Sequence, residues 1–179
     1  MPMRIEAGLS RILTKPSVKE SPPGASDPHP VAGFQLVWKS RPLTRRDLNI
    51  PDSAGTNPTG SMGLKRGEWE TGMDHRHYFR DTVFALADWE PDARGSIWER
   101  AAIIAGLKVK GIWHGMFSFK LSHNRDTTSR SYEQKNFMTQ IHWGNARHLI
   151  ARDDLLGRQL FLYRDDVMPD RPQYLIEID

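Results

Sequence analysis

The chain has 179 residues, 38% of them hydrophobic and 26% charged, with 14 glycines, 12 prolines and no cysteine. That length suits one domain with a continuous core, and the missing cysteine excludes a disulfide scaffold, a thiol nucleophile and cysteine-bound zinc. No window reaches the roughly 18 apolar residues of a membrane span, and residues 1–14 lack the apolar run of a secretory signal, so the expectation is a cytoplasmic protein without a membrane partner.

The net charge of +3 is unevenly spread. Residues 100–150 hold a surplus of +6, while residues 83–99 and 151–179 each carry −3. A basic third on a near-neutral body reads either as a solvated face or as a footprint for phosphate backbones.

Residues 1–33 form an N-terminal arm and linker. A short amphipathic piece (Met3, Ile5, Leu9, Ile12, Leu13) precedes KPSVKESPPGASDPHPVAG, whose five prolines and lack of apolar period read as a mobile linker. A single domain is expected over 34–179. FQLVWKS (34–40) is β-prone and closed by Arg41-Pro42, hence a strand. Residues 51–63, rich in Pro, Asp, Ser, Gly, Asn and Thr, read as a long loop, a length that in compact domains marks function or disorder. HYFRDTVFALADW (77–89) is rich in aromatic and β-branched residues and reads as a strand.

From Trp98, Ala101, Ile103, Ala105, Leu107 and Val109 alternate with polar or smaller neighbours. After Lys110-Gly111, Trp113, Phe117, Phe119 and Leu121 alternate with Met116, Ser118 and Lys120. This period of two across a turn predicts a hairpin. A polar loop over 122–136 leads to a strand at 137–143. Asn145 then caps one helix carrying Leu149, Ile150 and Leu155, which Gly157 stops. Residues 159–164 and 173–178 read as two final strands. The fold class is mainly β, a barrel or half-open barrel with one or two short helices.

Enzyme chemistry finds thin support. Seven histidines invite a metal site, yet none of their spacings is diagnostic, and no metal or other cofactor is expected. None of them has lysine two residues on, so the phospholipase-D-type nuclease motif is missing. A Mg²⁺-dependent nuclease is conceivable from Asp92 with Glu133 and Lys135, or from His75, Asn124 and His142. No phosphate-cradling loop and no serine-hydrolase elbow occurs.

A binding surface is the leading expectation. In KLSHNRDTTSR (120–130), Lys120, Arg125 and Arg130 can meet phosphates, while Ser122, His123, Asn124, Thr127 and Thr128 can reach phosphates or base edges. Asp126 is the local acid. Lys39, Arg41, Arg45 and Arg46, and then Lys65-Arg66 with Arg76 and Arg80, form two further clusters, interleaved with acids that can pair them, and His77 lies within the second of these. Gln140 and His142 follow on the next strand. Six Trp and seven Phe leave open a third reading, a protein–protein adaptor.

Four strings carry a resemblance: TNPTGSMGL (56–64), DHRHYFRDTVF (74–84), KLSHNRDTTSRSYEQKNFMTQIHWG (120–144), and DLLGRQLFLYRDD (154–166) with QYLIEID (173–179). Together they resemble the recognition domains of bacterial restriction endonucleases of the BfiI and NgoFVII kind, found alone or fused behind phospholipase-D-type domains. The resemblance implies an open seven-stranded DNA-binding pseudobarrel, shared with a large class of plant transcription factors, in which two loop-bearing arms grip the major groove. Carried onto this sequence, the arms are 41–80 and 120–143. The implied function is recognition of double-stranded DNA, sensitive to sequence or modification, in restriction or phage defence, with any nuclease acting in trans.

Overall fold

In the computed structural model, residues 33–53, 58–167 and 173–179 are described. Among them lie eight strands: β1 (Phe34–Lys39), β2 (Ser61–Gly63), β3 (Glu90–Pro91), β4 (Trp98–Val109), β5 (Ile112–Asn124), β6 (Thr139–His142), β7 (Leu160–Asp165) and β8 (Gln173–Ile178). The helices α1 (His75–Tyr78), α2 (Arg130–Glu133) and α3 (Arg147–Ile150) have four residues each. Seven strands run in the order β1-β7-β8-β4-β5-β6-β2, and β3 adds to β4. All pairings are antiparallel except β4 with β8, and the sheet curls into an open half-barrel. No helix among the described residues is long and apolar enough to cross a membrane. The arm and linker expected over 1–33 lie outside them, Gly33 apart.

The β4–β5 hairpin turns at Lys110 and Gly111, both at positive φ (50° and 76°), the backbone that a two-residue turn between right-twisted strands requires. Its inner row, Ala101, Ile103, Ala105, Leu107 and Val109 facing Phe119 and Leu121, is buried. Ile141, Leu160, Leu162, Tyr174, Ile176 and Ile178 from neighbouring strands join the same core. Each fully buried large apolar side chain contributes about 1.5–3 kcal/mol. The expected alternation holds with one exception. The register shifts between Leu107 and Lys108, so that Leu107 faces Gly115 and Lys108 faces Trp113. This bulge at His114 reverses the parity, and Trp113 moves to the outer, exposed row.

Between the two sheet edges, β1 and β2, side chains take over from strand pairing. Trp38 Nε1 donates to the carbonyls of Lys65 (2.9 Å) and Arg66 (3.1 Å), and Tyr78 Oη donates to the Val37 carbonyl at 2.6 Å. Trp143 Nε1 donates to the Asp47 carbonyl at 3.1 Å. Gly67 permits the approach of the 65–67 segment to β1: its φ is +64°, and a Cβ there would lie 2.6 Å from the Lys39 carbonyl oxygen.

Four expectations need correction. Residues 77–89 are not a strand: Asp74 caps α1 by accepting from the Arg76 N–H, and a π turn (Phe79–Val83) follows. Phe79, Val83 and Phe84 recur at helical spacing and are fully buried, so core packing overrides their strand propensity. The helix expected from Asn145 is broken into a 3₁₀ turn (Gly144–Ala146), α3 and a second 3₁₀ turn (Asp153–Leu155), with no side-chain cap from Asn145. Finally, Ser122, His123 and Asn124 belong to β5 rather than to a loop, and Ser61–Gly63, read as part of the 51–63 loop, is the edge strand β2.

Gly67→Ala is expected to lower stability by about 2 kcal/mol or more, combining the left-handed backbone penalty with a backbone clash. Chemical denaturation against Gly72→Ala, whose added Cβ meets nothing within 4 Å at a similar positive φ, separates the clash from the strain.

Candidate functional site

The expected binding residues divide between two places. On the outer face of the sheet, register puts Ser122 beside Gln140 and Lys120 beside His142 across β5–β6, then Gln140 beside Gly63 and His142 beside Ser61 across β6–β2. Arg100 and Ala102 of β4 continue the two rows. Ser61 Oγ donates to Gln140 Oε1 at 3.0 Å and lies 3.1 Å from Thr59 Oγ1, which fixes the Gln140 amide. Ser122 Oγ is 3.0 Å from His142 Nε2. Burial first, then the Arg100 and Lys120 charges, hold the His142 imidazole below its usual pKa, so it is neutral at pH 7.

At the β2 end of this face, a cleft of about 180 Å³ is lined by Arg41, Arg46 and Lys65. Asp47 is its one acid, and that carboxylate already accepts from Thr44 N–H (3.0 Å) and Thr44 Oγ (2.7 Å) while standing 3.5 Å from Arg41 Nη2. Arg46 and Lys120 make no ion pair among the described residues, and Lys65 sits 5.7 Å over the Phe137 ring. Phe137 in turn packs flat on Gly63, where a Cβ would collide with the ring. On the β4 side lies a larger cleft of about 420 Å³, in which Asp88, Glu90 and Asp92 face Arg100, Lys120 and His142. Asp92 is taken by Arg100 at 2.6 Å.

The second place is a cleft of about 210 Å³ at one end of the half-barrel. It gathers Arg76, His77, Arg80, His123, Asn124, Arg125 and Thr127, and here acids compensate the cations. Arg76 pairs with Asp74 at 2.7 Å and stacks on Tyr132, 4.2 Å from the ring centroid. That guanidinium holds the Asp74 carboxyl down at about 2. Arg80 pairs with Glu99 at 2.9 Å and lies over Trp89, and Arg125 approaches the same carboxylate at 3.7 Å. The expectation that only Asp126 compensates the 120–130 segment therefore fails for Arg125, whose partner comes from β4. His123 is a core residue: it is buried, 2.9 Å from Thr139 Oγ1 and edge-on to Trp89. Burial, with Arg80 nearby, pushes its pKa down to about 4.

Asn124 accepts the Asp126 N–H at 2.9 Å, and Asp126 accepts from Thr128 N–H and Oγ1, so these side chains shape the turn that leads to α2. Arg130 is exposed on α2. Arg45 stands apart, paired with Asp153 (2.8 Å) and Asp52 (3.4 Å). Of the alternative nuclease sets, His75 bonds the Lys135 carbonyl at 2.9 Å, and no three His, Asp or Glu among the described residues gather as a metal site. Sequence reading missed Thr59 and Ser61, hidden in a turn-rich run, the acids Asp88 and Glu90, and Tyr132, which no local pattern marks.

No protein-family model, no curated protein and no solved structure matches this chain.

His123 titrates below its ordinary value in the folded chain, so between pH 6.5 and about 4 the unfolded chain binds the extra proton. Stability therefore falls as pH drops through that window, by about 3 kcal/mol from this residue. Thermal melts from pH 7 to pH 4 are expected to show a shallower fall for His123→Gln than for the parent chain.

Proposed function

We propose that this chain is a double-stranded DNA-recognition module that binds through the outer face of β5, β6 and β2. The observation that carries the reading is the surplus of cations at the β2 end of that face: Arg41, Arg46 and Lys65 share a cleft with one acid, Asp47, already engaged by Thr44 and Arg41, and Lys120 stands on β5 without an ion pair in the neighbouring cleft that also holds Asp88, Glu90 and Asp92. A polyanion is the ligand that relieves their repulsion, and release of its counterions would drive binding. Ser122, Gln140 and His142 lie among these cations with donors and acceptors that can meet base edges. Phosphate contacts would set register, and this short polar row would read sequence. The sequence resemblance to restriction-endonuclease recognition domains supports the same reading and extends it to a restriction or defence setting, with cleavage by a nuclease partner in trans.

A second reading, the protein–protein adaptor, draws on Ile104 in the middle of β4 and on Ile112, Trp113 and Met116 near the hairpin tip, each more than half exposed. Titration of duplex DNA across a salt series decides between them. Four cations predict a log–log slope of about −3 to −4, and each of Arg46→Ala, Lys65→Ala and Lys120→Ala is expected to reduce it by about one. Gln140→Ala should cost about 1–3 kcal/mol at one base position and little elsewhere. Arg152→Ala, a cation paired with Asp154 away from this face, is expected to change neither. Absence of binding at low salt overturns the DNA reading and leaves the hairpin tip as the functional surface.

A further inference from the structure

The cleft at the end of the half-barrel holds an arrangement that DNA recognition on the outer face does not use. Asp81 Oδ2 lies 3.6 Å from His77 Nδ1, and His77 Nε2 lies 2.6 Å from Tyr132 Oη. With the imidazole proton on the nitrogen facing the carboxylate, the other nitrogen is an acceptor, and the phenol donates to it. The phenol is held in place. Ser129 caps α2 by accepting the Tyr132 N–H at 3.2 Å, Arg76 Nη1 donates to the Tyr132 carbonyl at 3.2 Å, and the Arg76 guanidinium covers one face of the ring. Arg80, Arg125 and Thr127 line the same cleft. Glu99 faces both of these arginines and compensates one charge; Arg125 Nη2 also donates to the Ser96 carbonyl at 3.0 Å, which leaves its Nη1 and the two Nη groups of Arg80 as donors beyond those contacts.

We propose that Tyr132 is a nucleophile for phosphodiester transesterification, with His77 as its general base, Asp81 as the positioning residue for His77, and Arg80 and Arg125 as the clamp on the phosphate. In the step, a Tyr132 Oη–P bond forms as one P–O bond to sugar breaks. The phenolic proton passes to His77 Nε2 and on to solvent water, and the departing sugar oxygen takes one proton from water. The transfer is neutral in protons and electrons: one phosphodiester becomes another, the free hydroxyl can reverse it, and no metal or oxidant enters. An acid–base–nucleophile chain aimed at a site with preset cations is what such a reaction needs. For its natural substrate the proposal rests on the reading of this chain as a DNA-binding protein.

The test uses two probes, both in EDTA. The first is thymidine 5′-phosphate 4-nitrophenyl ester, whose leaving group needs no proton and whose reaction needs no duplex binding. The expected result is a burst of one equivalent of nitrophenolate and an intact mass increased by one nucleotidyl group on Tyr132. Tyr132→Phe should lose the burst, and His77→Gln should slow it about 100-fold or more, with both variants keeping the parent's near-ultraviolet circular dichroism. The second probe is end-labelled DNA, duplex and single-stranded, scored for binding in solution and for a labelled protein band in detergent gels. Binding without a burst or a covalent band overturns the proposal, as does nitrophenolate release that survives Tyr132→Phe. A burst without any DNA binding keeps the nucleophile and removes the DNA reading.

Discussion

Side chains alternate across a strand, so a long hairpin forces one row of residues into the core and sets the next row on the surface at fixed spacing. Here β4 and β5 pair over twelve positions, and their inner row is the centre of the core. Sliding the pair by one residue would exchange Ala101, Ile103, Ala105 and Leu107 for Arg100, Ala102, Ile104 and Gly106, which burial does not tolerate. The same register therefore fixes where Lys120 and Ser122 stand on the outer face. Gln140 and His142 inherit their places through β6, and Ser61 through β2. The positions of these sheet-borne residues are thus a by-product of core packing, whereas Arg41, Arg46 and Lys65 are brought to the same face by segments outside the strands.

The half-barrel closes differently from a full barrel. Its edge strands do not meet, and the gap is spanned by indole and phenol donors to backbone carbonyls: Trp38 to Lys65 and Arg66, Tyr78 to Val37, Trp143 to Asp47. Each large aromatic contributes apolar area to the core and one directed bond across the gap. Trp38 and Trp143 are almost wholly buried. This accounts for part of the unusual tryptophan content. Trp113 is the exception, turned outward by the bulge at His114 onto Gly106, where only a residue without a Cβ leaves room for the ring.

Strict alternation made the hairpin legible, because burial on one face writes a period of two into the chain, while β1, β6, β7 and β8 were legible as short apolar, strand-prone runs. What was not legible has physical causes. Residues 77–89 carry strand-forming side chains, but Asp74 nucleates a helical turn and the core accepts Phe79, Val83 and Phe84 from one helical face. A three-residue strand such as Ser61–Gly63 is too short for any period to show. The site was legible as a list of polar and cationic residues and illegible as a grouping. Arg125 looks uncompensated in sequence and Arg80 has local acids beside it, yet both turn to Glu99, which stands opposite His123 on the neighbouring strand. Local acids cannot reveal such partners, since cross-strand pairing joins residues some twenty positions apart.

The division of charge separates two kinds of site in one small domain. On the outer face, burial keeps His142 neutral, so its positive potential comes from arginine and lysine alone and does not change with pH near neutrality. Affinity for a polyanion at that face would follow ionic strength, which screens exposed charges, far more than pH. In the end cleft carboxylates offset much of the positive charge, Asp74 against Arg76 and Glu99 shared by Arg80 and Arg125, so the surplus potential that would attract a long polyanion is smaller. What remains there is geometry: a phenol, an imidazole and two guanidiniums held by neighbours at hydrogen-bond range. Free charge suits capture of an extended ligand, because its field acts over a Debye length. Compensated, positioned groups suit an event at a single atom, because they act only at contact. The fold thus sets the two requirements on different surfaces, joined by β5, whose outer residues face the first and whose end, at Asn124, opens on the second.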